Sequence, residues 1–209
     1  MPISRGLTVE KAMAEDVLLA FEMNDTEIPV LNGRPLRLVV SGWPGSCSQK
    51  WLTRIWLRDV VHDGPKMGGT SYRVPRYPVA PGQDVPPEDF EIIERLPVKS
   101  LITNPATKSD VSGKSVEVRG HAWSGDRTIK SVDVSIDFGA SWTSAELAAP
   151  VNFGAWQNWK KTVAFPQSGY YEVWSRATDS EGATQPSAIP WNPKGYLNNA
   201  IHRLAVNVA

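Results

Sequence analysis

Ser115-Val116-Glu117-Val118-Arg119-Gly120-His121-Ala122-Trp123 sets small or apolar residues against polar ones at every second position. Successive side chains of a strand point to opposite faces, so this stretch reads as a strand with one buried and one solvated face. Ile129-Lys130-Ser131-Val132-Asp133-Val134-Ser135-Ile136 repeats the pattern, and Asp137-Phe138-Gly139 then turns the chain before Trp142-Thr143. Further strands are expected over Trp156 to Phe165, Tyr170 to Thr178 and His202 to Val208. Turn residues separate them at Ser124-Gly125-Asp126, Gln167-Ser168-Gly169 and Asp179-Ser180-Glu181-Gly182. Short alternating strands at this spacing, with no helical period, predict an all-β, immunoglobulin-like sandwich over residues 98–209. The chain has one cysteine, so the sandwich is not of the disulfide-bridged antibody type.

Moving toward the N-terminus, residues 58–97 show little period and are rich in proline, including Pro75, Pro78, Pro81, Pro86 and Pro87. Proline removes backbone donors and interrupts ladders, so this part reads as a covering loop that becomes an interdomain connection. Before it, Thr8 stands as the N-cap of a short helical pattern, with Lys11 at the position that completes a capping box when it is Glu. Val17 to Phe21 reads as a strand or a buried helix end, and Leu36 to Val40 and Trp51 to Leu57 read as strands. Residues 1–97 are therefore taken as one mixed α+β domain.

Lys and Arg total 22 and Asp and Glu total 22, a formal net charge of zero. Such a chain has no basic field for nucleic acid or an anionic membrane surface, and neither is expected as a partner. No apolar run approaches the ~20 residues of a membrane helix, and no apolar signal core follows Met1. His62, His121 and His202 lie far apart, with no metal-binding spacing. Nine tryptophans point to large buried rings or to an interface.

One turn has the chemistry of an anion site. Ser41-Gly42-Trp43-Pro44-Gly45-Ser46-Cys47-Ser48-Gln49-Lys50 offers small residues for close backbone approach, hydroxyl donors and a lysine. Arg37 on the preceding strand is placed to reach the same anion. The alternative is a turn flanked by two solvated cations.

These stretches also carry a resemblance. Leu18 to Asn24, Asn32 to Val40, Gly42-Trp43-Pro44-Gly45 and Gln49-Lys50-Trp51-Leu52 resemble the sulfite oxidase family of molybdenum enzymes. Gly120 to Gly125, Gly139-Ala140-Ser141-Trp142, Trp191 to Asn199 and His202-Arg203 resemble that family's C-terminal dimerisation domain. The resemblance implies a partial molybdopterin-binding oxidoreductase domain over residues 1–97, followed by the dimerisation sandwich over residues 98–209. It implies a molybdenum–molybdopterin cofactor, held by Arg37 and Lys50 with Ser48 and Gln49 beside them. Asn32 falls where animal members carry a cofactor-binding histidine. Tyr72 falls at an active-site tyrosine.

Two departures stand out. Cys47 does not match the molybdenum-ligating cysteine, so the chain reads as N-terminally truncated and is not expected to oxidise sulfite by itself. Gln157 stands where animal members are expected to carry a substrate-pocket arginine, which puts sulfite itself in question. The expected function is oxygen-atom transfer to a small sulfur oxyanion, in a homodimer, with a separate cytochrome c-type acceptor. The alternatives are a non-catalytic dimerisation module and a carbohydrate-binding sandwich using Trp142, Trp156 and Trp159.

Overall fold

A computed structural model of the protein describes residues 3–209. The chain divides into two compact units. One comprises residues up to Leu96 together with Pro190–Tyr196, and the other comprises Pro97–Ile189 and Leu197–Ala209.

In the first unit, helix α1 (Val9–Ala12) begins at Thr8, whose hydroxyl accepts the Lys11 N–H at 3.2 Å. The expected N-cap is therefore formed. Strand β1 (Val17–Ala20) follows, then the small hairpin of β2 (Glu22–Met23) and β3 (Thr26–Glu27), then β4 (Arg37–Val40). Strands β1 and β4 pair antiparallel, with Val17 opposite Val40 and Ala20 opposite Arg37. A buried ion pair between Lys11 Nζ and Asp16 at 2.7 Å ties the helix to the strand that follows. A second hairpin, β5 (Arg73–Pro75) with β6 (Phe90–Ile92), emerges from the region expected to be irregular.

Helix in this unit is confined, among the described residues, to α1 and the 3₁₀ turns Val30–Asn32, Gly45–Cys47 and Pro87–Asp89. Each 3₁₀ turn follows a proline, and such single turns replace the longer helices a mixed α+β domain would hold. Trp51 to Leu57, expected as a strand, joins no ladder among the described residues. Ile55, Trp56 and Leu57 are 71%, 68% and 80% exposed. The start of this stretch is tied to the Gly33 and Leu36 carbonyls, but no ladder among the described residues extends along it.

The second unit contains β7 (Lys99–Asn104), β8 (Ser109–Val111), β9 (Ser115–Trp123), β10 (Ile129–Ser135), β11 (Thr143–Ser144), β12 (Glu146–Leu147), β13 (Gln157–Ala164), β14 (Gly169–Asp179) and β15 (His202–Val208). They form a five-stranded sheet, β11-β10-β14-β15-β8, and a four-stranded sheet, β12-β13-β9-β7. All neighbours are antiparallel except β15 and β8. The inward residues of both sheets, including Val118, Val132, Val134, Trp159, Val173 and Val206, make one apolar core. This is the β-sandwich read from the alternation.

Several buried polar groups in the sandwich are paired, whereas Trp159 Nε1 and Arg176 Nε have no hydrogen-bond partner among the described residues. The Gln185 side chain accepts from the backbone of Ser100 (2.7 Å) on β7 and of Ala177 (2.9 Å) on β14, and donates to the carbonyls of Asn199 and Ala200. One fully satisfied amide thus links both sheets to the chain entering β15. Burial pushes the Asp179 carboxyl up, but the Ala183 and Glu181 N–H groups, the Ser124 hydroxyl and Arg127 outweigh it, so its pKa is lowered overall.

Candidate cofactor-binding site

After β4 the chain turns through Gly45–Cys47 and runs back beside the strand it left. The Leu38 N–H donates to the Gln49 carbonyl and the Leu52 N–H to the Leu36 carbonyl, both at 2.8 Å. This return brings Lys50 alongside Arg37. Gly33 lies between them with φ of 115°, and an added Cβ would lie 3.0 Å from Lys50 Cβ and 3.1 Å from Arg37 Cβ. Only glycine fits both that backbone and that gap.

The donors converge on one 3₁₀ turn. Trp51 Nε1 donates to the Val30 carbonyl, Lys50 Nζ to Leu31 and Arg37 Nη1 to Asn32, each at 2.9 Å. Carbonyls at the end of a helical turn lack intrahelical donors and carry partial negative charge, which draws cations there. Neither Arg37 nor Lys50 has a carboxylate partner among the described residues. Arg37 Nε is buried with no hydrogen-bond partner among the described residues. Two uncompensated cations on one turn, one with a buried unused donor, suit an anion with several oxygens.

The neighbouring sequence-assigned residues shape this turn. The Ser48 hydroxyl accepts the Val40 N–H at 3.0 Å, closing the loop onto the end of β4. The Gln49 amide donates to the Ser46 carbonyl. Asn32 is exposed and contributes its backbone carbonyl to Arg37. Cys47 is buried with Val40 and Trp43 in a small apolar cluster. Burial pushes its thiol up, outweighing the Ser46 hydrogen bond and the Arg5 charge. A thiol held protonated is a poor metal ligand.

Tyr72 stands in a separate cluster of the same unit, and sequence reasoning missed its companions. Its backbone is left-handed, φ 53°, which is uncommon for a bulky residue. The Ile93 N–H donates to its carbonyl at 3.0 Å, and its own N–H points to the Tyr196 hydroxyl at 3.4 Å. The Tyr196 ring stacks on the Tyr72 ring at 5.7 Å and 19°, and the Arg5 guanidinium carbon lies 4.8 Å from the Tyr72 ring centroid. Tyr196 lies within the Trp191 to Asn199 stretch that carried the resemblance; Arg5 carried no signal at all.

The histidines remain apart. His121 Nδ1 bonds Asn158 at 2.7 Å, and His202 Nδ1 accepts the Ile102 N–H at 3.0 Å. His62 sits between the Ser4 hydroxyl and Arg58. Gln157 is buried in the sandwich, where it accepts the Ile129 N–H and donates to the Ala148 carbonyl. Its amide thereby ties β13 to the start of β10 and to the residue after β12.

The two units have recognisable counterparts. Residues 1–66 match the oxidoreductase molybdopterin binding domain, and residues 90–209 match the Mo-co oxidoreductase dimerisation domain. This combination of domains is that of the molybdopterin-dependent oxidoreductases. The chain belongs to the sulfite oxidase family. It is 36% identical over 97% of its length to sulfite oxidase of Gallus gallus, and 33% identical over 100% to the mitochondrial sulfite oxidase of Homo sapiens. Among solved structures it matches the sulfane dehydrogenase SoxCD of Paracoccus pantotrophus, with a TM-score of 0.77, 29% identity and coverage of 93% of this chain and 49% of that one. The chain spans 44% and 39% of the length of the two sulfite oxidases.

The cofactor of this family is molybdenum–molybdopterin. The cations at Gly33 fit its phosphate, since Arg37 Nε is a buried donor without a partner among the described residues. No group of three or more His, Cys, Asp or Glu among the described residues is arranged to hold a metal ion.

Proposed function

We propose that this chain forms the phosphate-side part of a molybdopterin-dependent oxidoreductase that acts on a small sulfur oxyanion. The convergence of Arg37 and Lys50 on the Val30–Asn32 turn, with no carboxylate to neutralise them, carries this reading. The cofactor, when bound, supplies two-electron redox chemistry that no side chain can. Arg37 and Lys50 hold its phosphate, and the turn closed by Ser48 and Gln49 keeps the two cations in place. Asn32 supplies the carbonyl on which Arg37 rests. Tyr72, a neutral donor, hydrogen-bonds an oxygen of the substrate and steadies the charge that shifts during the reaction. The sandwich pairs two copies, as its match to a dimerisation domain supports. The electrons pass to a separate cytochrome c-type protein, as befits a cofactor that gives them up one at a time.

The 209 residues alone are not expected to turn over, because their one thiol is buried and held protonated. That same observation favours a second reading, a non-catalytic dimerisation module. Metal analysis and sulfite-dependent cytochrome c reduction on the purified chain test the turnover claim. No turnover is expected, and stoichiometric molybdenum with turnover contradicts it. The module reading predicts a dimer that binds no molybdopterin.

A further inference from the structure

We propose that Arg5, resting against Tyr72, is an oxyanion-binding subsite that holds the substrate's charge beside the tyrosine hydroxyl. The inference rests on the reading of Tyr72 given above and adds a residue to it. Arg5 is half-buried, and its Nε is buried with no hydrogen-bond partner among the described residues. Its Nη1 donates to the Ser4 carbonyl at 2.7 Å and reaches the Pro65 carbonyl at 3.5 Å. No carboxylate pairs with it among the described residues. Its remaining contact is the Tyr72 ring, and stacking on a ring uses the guanidinium face rather than its N–H donors. A cation fixed by two carbonyls and a ring, with a donor left over, is short of an anion.

The surroundings hold this arrangement still. An added Cβ at Gly6 or Gly64 would collide with His62, so backbone packs closely around that ring. His62 Nδ1 lies 3.5 Å from Arg58 Nη1, and its Nε2 lies 3.1 Å from the Ser4 hydroxyl, so the ring is held from both sides. A tetrahedral oxyanion at Arg5 meets its unused donor next to the Tyr72 ring.

Inorganic sulfate is the probe, because it is a stable tetrahedral sulfur oxyanion and needs no metal to bind. Isothermal titration of the purified chain is expected to show sulfate binding that Arg5→Gln weakens at least tenfold. Arg5→Lys, which keeps the charge, is expected to retain affinity within about threefold. Tyr72→Phe keeps the ring under Arg5 but removes the hydroxyl, and is expected to weaken binding severalfold with the fold intact. Melting curves identify any variant that is simply unfolded. Lys50→Gln separates the two anion sites: the sulfate binding it removes belongs to the turn bearing Arg37 and Lys50, and the binding that Arg5→Gln removes belongs to the subsite. No sulfate binding to the wild type, or binding lost in Lys50→Gln and kept in Arg5→Gln, overturns the subsite while leaving the phosphate role of Lys50 standing. Arg5-dependent sulfate binding combined with molybdopterin affinity indifferent to Lys50 keeps the subsite and removes the cofactor reading.

Discussion

Gly33 is the residue on which the cofactor site turns. Its φ of 115° suits glycine alone, and its missing side chain leaves the gap in which Arg37 and Lys50 meet. Gly33→Val is expected to cost ~1–3 kcal/mol from backbone strain alone. Because the neighbours it pushes are the two cations, molybdopterin affinity is expected to fall by at least about tenfold, some 1.4 kcal/mol. Chemical denaturation and cofactor titration read the two effects separately. Arg37 and Lys50 were legible in the sequence because strand, glycine turn and lysine follow each other within fourteen positions. Arg5 and Tyr196 were not, because their meeting with Tyr72 depends on chain paths that no local spacing encodes.

His202 makes a second prediction at this scale. Burial, and then the Lys99 charge, lower its pKa below the ordinary 6.5. Its Nδ1 accepts the Ile102 N–H, which requires the neutral ring. The folded chain therefore resists a proton that the unfolded chain takes up. Stability from this group is full above pH 6.5 and is lost as pH falls below that value toward the folded pKa. The melting temperature is expected to drop across that window. In His202→Asn this part of the pH dependence is expected to flatten; an unchanged slope assigns it elsewhere.

At the scale of elements, β9 shows why the sandwich could be read so directly. Its alternation runs from Ser115 to Trp123 without a break, and the structure forms a strand with those bounds. Gly120 interrupts the side-chain row for a reason the pattern hides. A Cβ there would collide with the Leu101 carbonyl on β7 and with the Trp159 ring on β13. Gly120→Ala is expected to destabilise the unit by ~2–3 kcal/mol, as overpacking does. A measured change under ~0.5 kcal/mol, the scale of an ordinary surface substitution, contradicts so tight a packing. Trp51 to Leu57 teaches the reverse lesson. Its alternation is broken at Trp51-Leu52 and at Ile55-Trp56-Leu57, and no strand among the described residues pairs with it. Period reports which way side chains point, but a ladder needs a partner backbone. The short pairs β7, β8 and β12 went unread because two to six residues carry too little period to stand out.

For the whole molecule, the sequence separates a patterned half from an unpatterned one, and the difference has a physical origin. The sandwich is built from nonlocal ladders over one continuous core, so its longer strands bear the same inward–outward signature. The first unit is held by turns, three short two-stranded ladders and side-chain-to-carbonyl bonds, which are too brief to show a period. Its completion by Pro190–Tyr196, from the far end of the chain, is likewise invisible to local reading. Sedimentation of the purified chain is expected to show a dimer, and loss of residues 97–209 to abolish it.

The phosphate role of Arg37 and Lys50 is tested most directly by titrating molybdopterin, followed by its pterin fluorescence, against the wild type and Arg37→Gln/Lys50→Gln. Both bind at one turn without carboxylate neighbours, so removing both charges is expected to weaken binding by about a hundredfold, roughly 2.7 kcal/mol. Equal affinity in the two proteins, with both folded, contradicts it.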